Sequence, residues 1–371
     1  MNIIGKNDYK NLQKLILNRN FKKIFFLTGY NSFYKSGADK IFKNISKNKE
    51  VNFFFKKKYL PELQELKKNI KLINKFKPDL IIAVGGGCVL DYAKLANVYF
   101  NEGNIEESVS KSKFNFKKKH SKLIAIPTTA GSGAEVTPFA VLYINKNKYS
   151  VENEFVKPDY YFIIPELIIK SKKILKASTG FDAIAQALES MISVKSNEKS
   201  LEFSKKSLKL SIPNYINFIK KPNIENTIKM CLAANLSGKA ISIAKTNGPH
   251  AASYPFSVYY GIDHGHAVSL TINEFMLKYY LNSNYSITSF DLKERFNSIF
   301  KLFKIKNIYE LDAMLKNIKN QAGLENNFKK LGINISRDYN KILSGVNDQR
   351  LKNCPIRIER NDLKSILLTK N

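Results

Sequence analysis

The sequence predicts an N-terminal α/β domain of Rossmann-like grammar followed by a C-terminal all-α domain. Three observations predict this. Apolar β-branched runs alternate with helical periodicity over the first 165 residues, one of those runs ends in a glycine loop, and helical periodicity stands alone from about Lys176 onward. A chain of 371 residues suits two domains at roughly 150 residues apiece, which we place at 1–170 and 171–371. With 44% hydrophobic residues the chain buries enough apolar surface to offset its conformational entropy.

The strand candidates in order are Lys23 to Leu27, Val51 to Phe55, Leu80 to Val84, Lys122 to Ile126 and Phe139 to Ile144, each rich in Ile, Val or Phe. Between the second and third, Leu60, Leu63, Leu66, Ile70 and Ile73 recur at helical spacing with Lys elsewhere, so the segment reads as a crossover helix. Such alternation predicts a mainly parallel sheet covered by helices, with ligands beyond the carboxyl ends of its strands. In the second half, Ser178 and Thr179 are expected to cap a helix through FDAIAQALESMI, and Pro213 and Pro222 to punctuate the next helices.

No apolar stretch approaches the roughly 18 residues a membrane helix needs, and the first residues carry no apolar core followed by a small-residue cleavage site. A cytoplasmic protein with no membrane partner is expected. Cys88, Cys231 and Cys354 are too few and too widely spaced for a disulfide framework or a Cys-x-x-Cys zinc site, so they read as thiols. The formal charge of +30 invites a polyanion reading, but only six of 61 basic residues are arginine and no nucleic-acid module is visible. Lysines on solvated faces account for the charge, and no specific nucleic-acid partner is expected.

In LIIAVGGGCVLDYAKLA an apolar strand ends in Gly85, Gly86 and Gly87 and passes into a helix. Three bare backbones and a helix N-terminus make a natural site for pyrophosphate. The pattern differs from the G-x-G-x-x-G fingerprint. A second small-residue loop, IPTTAGSGAE, offers Thr128, Thr129 and Ser132 to the same crevice. The first strand ends at Gly29 instead of an acidic residue, which spares a 2′-phosphate from repulsion, so of the expected cofactors, NADPH or NADH, acceptance of NADPH is expected.

Three of the four histidines, His250, His264 and His266, fall within GPHAASYPFSVYYGIDHGHAV. Imidazole is the commonest ligand for borderline metals. Asp182 and Gln186 lie four apart on the expected helix, so both project from one face. Asp182, His250 and His264 make a two-histidine, one-carboxylate set suited to Fe(II) with open positions, and equally to Zn(II) with water. Each has an ordinary alternative: Asp182 favours a helix N-terminus, and a histidine can be a hydrogen-bonded core residue. Gln186 is a poor ligand for iron or zinc, and coordinates, holds a water or faces substrate.

These residues resemble the iron-containing alcohol dehydrogenases over nearly the whole chain. The resemblance is carried by GGGCVLDYAK at Gly85 to Lys94, IPTTAGSGAEVTPFAV at Ile126 to Val141, TGFDAIAQALES at Thr179 to Ser190, the spacing of His250 and His264, and the tail NCPIRIERNDLKSIL. It implies a dinucleotide domain and a helical domain with cofactor and divalent metal between them, and a homodimer. By position it implies pyrophosphate on Gly85, Gly86 and Gly87 with Asp91 and Lys94 on the following helix, and Thr128, Thr129 and Ser132 at phosphate or nicotinamide. It also implies Asp182, His250 and His264 as metal ligands, with Gln186 where the family usually places a histidine. Tyr254 stands where the family usually has another histidine.

Within the family, AKTNGPHAASYPFSVYYGIDHGHAVSL and AGSGAEVTPFAVLYINKNKYS are most similar to the subgroup that reduces phosphonoacetaldehyde to 2-hydroxyethylphosphonate. The expected activity is NAD(P)H-dependent reduction of a small anionic aldehyde polarised by the metal, most simply Fe2+, with Zn2+ also suitable. Lys239 and Lys245, with His266 as a third cation, would hold the anion, and water or Tyr254 would return the proton. The alternative is an alcohol, lactaldehyde or diol dehydrogenase acting on a small uncharged substrate, with both lysines merely on the surface.

Overall fold

A computed structural model describes residues 2–4, 9–101 and 103–369. The chain divides into two compact units, one of residues 1–171 with 223–231 and one of residues 172–222 with 232–371.

The first unit is built on a parallel sheet in the order β1-β8-β5-β4-β2-β3. Its strands are β1 (Asn2–Ile4), β2 (Lys23–Gly29), β3 (Glu50–Lys56), β4 (Leu80–Gly85), β5 (Lys122–Pro127) and β8 (Tyr160–Ile163). The central strands KIFFLTG, LIIAVG and KLIAIP read as almost continuous apolar runs because both faces are buried, as parallel sheets require. Helices α1 (Tyr9–Asn18), α2 (Ala38–Ile45), α3 (Leu63–Phe76), α4 (Gly87–Val98), α5 (Ile105–Ser110) and α6 (Glu166–Ile169) lie between or after the strands. On one side of the sheet Leu12, Ile16, Phe42 and Ile45 pack with Ile24, Phe26, Ile82 and Ile124 in a single apolar cluster. The helix expected from Leu60 begins later, at Leu63.

The run Phe139 to Ile144 is a strand, β6 (Phe139–Ile144), but it lies outside the parallel sheet. It pairs antiparallel with β7 (Asn147–Glu152) in a two-stranded sheet of its own. Only Asn145 and Lys146 separate the two runs, and both adopt positive φ, 50° and 67°. That is the two-residue hairpin turn whose twist matches antiparallel strands. A parallel partner would need a crossover of about a dozen residues.

The second unit is helical, as expected. Its helices are α7 (Lys173–Ile192), α8 (Glu198–Lys220), α9 (Ile224–Ala244, of which 232–244 lie in this unit), α10 (Gly248–Tyr260), α11 (His264–Ser269), α12 (Ile272–Leu281), α13 (Leu292–Phe303), α14 (Ile308–Ala322), α15 (Ile335–Ser344), α16 (Asp348–Leu351) and α17 (Arg360–Leu368). Asn197 closes a capping box with Ser200 at the start of α8, and Asn247 caps α10. Among the described residues no helix is long and apolar enough to cross a membrane.

Two expectations about helix ends are corrected. Helix α7 starts at Lys173, so Ser178 and Thr179 lie inside it. Their hydroxyls serve other bonds: Thr179 Oγ1 donates to the Leu175 carbonyl at 2.8 Å, and Ser178 Oγ accepts from the His266 amide at 3.1 Å. Pro213 lies within α8 and does not end it. A proline there removes one helical donor, and the buried stripe of Leu201, Leu208, Tyr215 and Phe218 carries the helix through.

Candidate metal centre and glycine-loop site

The glycine loop is shaped by close approach. Gly85 ends β4, and a Cβ on it would sit 2.5 Å from Val89 Cβ, so the strand can turn directly into α4 only without a side chain. A Cβ on Gly86 would lie 3.4 Å from Thr129 Cγ2, and one on Gly87 3.2 Å from Ser132 Oγ. The Thr128 amide donates to the Gly85 carbonyl at 3.0 Å. The loops after β4 and β5 therefore meet, and together with the first turn of α4 they form a bare-backbone cradle that fits a phosphate group. Gly85→Ala is expected to destabilise the protein by about 2 kcal/mol through overpacking against Val89, read as a lowered Tm.

Gly29 ends β2 and pairs in register with Lys56 on β3. A Cβ there would lie 3.6 Å from Ser32 Oγ and 3.8 Å from Lys56 Cε. Lys94 departs from its expected place at the cofactor. Its ammonium donates to the Thr137 carbonyl at 3.0 Å, Thr137 Oγ1 at 2.9 Å and the Phe139 carbonyl at 2.9 Å, so its three protons tie α4 to the chain entering β6. Burial pushes Lys94 down to about 8 and its neighbour Asp91 up to about 6, each partly offset by the other's charge.

In the second unit Asp182, His250 and His264 converge. Each offers a ligand atom, and these atoms all lie within 4.8 Å of one another. Asp182 projects from the third turn of α7, His250 from the first turn of α10, and His264 opens α11. His250 Nε2 is 3.2 Å from Asp182 Oδ1, and the two imidazole centroids are 5.3 Å apart. One carboxylate and two imidazoles, mostly buried, fit a divalent ion such as iron or zinc.

A residue that sequence reasoning missed holds this group in place. Glu189, fully buried, accepts from His250 Nδ1 at 2.5 Å through Oε1, which leaves Nε2 facing Asp182. Its other oxygen accepts from the Asn247 amide at 2.7 Å, which anchors the start of α10 to α7. Orientation of a ligating imidazole by a carboxylate is the usual outer-shell arrangement. The signal was available: Glu189 is seven residues after Asp182, on the same helical stripe as Asp182 and Gln186.

Burial opposes charge on His250, but Glu189 and Asp182 outweigh it and raise its pKa to about 9. Without metal, this raised pKa stabilises the fold below the ordinary histidine value of about 6.5, and the contribution is lost as pH rises through about 9. In metal-free protein the stability difference between wild type and His250→Gln is therefore expected to narrow as pH is raised from 6 to 10, measured by urea unfolding.

The remaining site residues fall in different places. Tyr254 is buried one turn beyond His250 on α10, its ring centroid 6.1 Å from that of His264. Gln186 turns its amide nitrogen, not its oxygen, toward Asp182: Nε2 donates to Oδ2 at 3.1 Å, and Oε1 accepts from Ser237 Oγ at 3.0 Å. The amide expected at the metal is thus engaged elsewhere. His266, expected as a catalytic or substrate-binding group, lies outside the cluster of Asp182, His250 and His264. Two residues beyond His264 on α11, it faces the other side of the helix and donates from Nε2 to the Glu325 carbonyl at 2.7 Å. Lys245 follows α9 in a left-handed conformation, φ 60°, buried, with Nζ 3.4 Å from the Ser242 carbonyl. Lys239 is half-buried on α9, two residues past Ser237 and so on another side of the helix.

Residues 1–165 match the family described as iron-containing alcohol dehydrogenase, and residues 176–370 match the C-terminal part of the same family. The chain belongs to the iron-containing alcohol dehydrogenase family. It is 28% identical over 269 residues to aldehyde-alcohol dehydrogenase 2 of Entamoeba histolytica, covering 68% of this chain and 31% of that protein. It is 30% identical over 213 residues to phosphonoacetaldehyde reductase of Streptomyces viridochromogenes, covering 55% of this chain and 53% of that one. This family member spans only between 26% and 31% of the length of the first curated relatives it matches. Its fold is that of sulfoacetaldehyde reductase from Bifidobacterium kashiwanohense, solved with NAD+, at TM-score 0.87, 24% identity and coverage of 99% and 95% of the two chains.

Proposed function

We propose that this chain interconverts a small aldehyde and its alcohol using NAD(P)H and a divalent ion held by Asp182, His250 and His264. The observation that carries the proposal is the convergence of those three side chains, with ligand atoms within 4.8 Å of one another. When bound, the ion supplies Lewis acidity to a carbonyl oxygen and the dinucleotide supplies hydride.

The protein's own residues do the rest. Glu189 fixes the His250 ring, and Gly85, Gly86 and Gly87 with Thr129 and Ser132 cradle the cofactor phosphates. Tyr254, next to His264, is the phenol we assign to returning a proton to the nascent alcohol. Gly29, with Lys56 Cε within 3.8 Å of where its Cβ would be, favours NADPH: a side-chain carboxylate is replaced by space beside a cation. A higher kcat/KM with NADPH than with NADH is expected from initial-rate kinetics, and a strong NADH preference would contradict it.

For the substrate we infer an aldehyde with an anionic head, phosphonoacetaldehyde being the candidate and 2-hydroxyethylphosphonate the product. The similarity to a relative of that name supports it, and Lys245, with Lys239, is the counter-charge we assign. Lys245→Met is expected to raise KM for phosphonoacetaldehyde about tenfold or more, the scale of a lost charged hydrogen bond, while leaving propanal nearly unchanged. Reduction of propanal but not of phosphonoacetaldehyde by metal-supplied protein would favour an uncharged substrate instead.

A further inference from the structure

We propose that Gln186 is a positioning residue and not a ligand: its amide locks the Asp182 carboxylate while the ion rests on three protein side chains. The proposal builds on the reading of Asp182, His250 and His264 as a metal site.

The chemistry of the pair decides which amide atom faces the carboxylate. Gln186 Nε2 lies 3.1 Å from Asp182 Oδ2. Turning the amide over would set two lone-pair-bearing oxygens at that distance, whereas the present orientation makes a charge-assisted hydrogen bond. With the nitrogen so committed, Oε1 points toward α9, where Ser237 Oγ lies 3.0 Å away. Ser237 is fully buried and Gln186 nearly so. Asp182 is thereby divided: Oδ2 is held by the amide, and Oδ1 faces His250 Nε2 at 3.2 Å.

Glu189 does for His250 what Gln186 does for Asp182. Both clamps lie on the α7 stripe that carries Asp182, so one helix supplies a ligand and the outer-shell partners of two ligands. A centre with three protein ligands keeps open positions for substrate oxygen and water. In this arrangement the neutral amide at position 186 does not weaken the site by being a poor ligand, because it is not used as one.

The test is Co2+ binding to the metal-free protein, followed by calorimetry and by the visible ligand-field spectrum. Gln186→Ala is expected to bind Co2+ about tenfold more weakly, the scale of a lost outer-shell partner, with the band positions and intensity of the wild type. Ser237→Ala, which keeps the Gln186 amide but removes the hydrogen bond to its Oε1, is expected to lose about threefold, the scale of one neutral hydrogen bond. It also serves should Gln186→Ala fold poorly. Gln186→His is expected to add a ligand and change the spectrum. A Gln186→Ala spectrum showing altered coordination, or a Co2+-loaded crystal structure with Gln186 Oε1 at about 2.0 to 2.2 Å from the ion, would overturn the proposal and leave the metal site standing. Absence of any Co2+ binding by wild type would overturn both.

Discussion

Asp182→Asn is expected to abolish metal-dependent turnover while leaving the fold intact. The substitution keeps the side chain's shape but removes the one anionic member of the converging trio and one of its carboxylate oxygens. Asp182 Oδ1 faces His250 Nε2 and Oδ2 accepts from Gln186, so the amide replacement must present a nitrogen either toward the ion or toward another donor. Both outcomes oppose binding of a cation. Divalent-ion affinity should fall by more than about 100-fold, beyond the range for loss of an outer-shell partner. The decline in kcat/KM should reach about 1,000-fold, equivalent to about 4 kcal/mol of transition-state stabilisation. Calorimetric titration and initial rates read the two effects, and unchanged circular dichroism shows that the fold survives.

Gly265→Ala is expected to be the most damaging single-methyl change in the helical unit. Gly265 follows His264 on α11, and a Cβ there would sit 2.0 Å from the Ser178 carbonyl oxygen and 2.9 Å from Asp182 Cβ. The nearer atom belongs to a helix backbone and cannot rotate away, so α11 must move off α7. That movement breaks the bond from the His266 amide to Ser178 Oγ and separates His264 from Asp182. A loss of about 3 kcal/mol or more is expected, at the upper end for overpacking, together with loss of metal binding. Denaturant titration checks the first and metal titration the second. A variant as stable as wild type and binding metal equally well would show that α11 and α7 are not so tightly seated.

Much of this architecture could be read from the residues because its signals are local. The runs at Lys23, Leu80 and Lys122 are apolar on both faces, which is what a strand covered on both sides asks for. Pattern reading failed where distance in sequence hides the partner. Phe139 to Ile144 is as apolar as the central strands, and its separate hairpin is written only in the two-residue spacing before Asn147. Ser178 looks like a cap, yet its hydroxyl accepts from an amide on α11. Lys94 sits beside a phosphate-like loop, yet segment 137–139 claims its protons.

The candidate centre divides in the same way. Asp182, His250 and His264 stand out because histidine is rare in this chain and the carboxylate lies on a helix. The roles of Glu189, Ser237 and Asn247 depend on hydrogen bonds between α7, α9 and α10, which spacing alone does not reveal. His264 and His266 look equivalent in sequence, but two residues on a helix place them on different sides, and only one joins the cluster.

The claim that Asp182, His250 and His264 together hold one divalent ion is tested most directly by elemental analysis. Wild-type protein and the His250→Ala and His264→Ala variants would be purified without chelator and incubated with Fe2+ or Zn2+ before removal of unbound metal. Close to one ion per wild-type chain, and almost none in either variant, is the predicted result. An ion retained equally by wild type and both variants, or no ion in wild type, would contradict it.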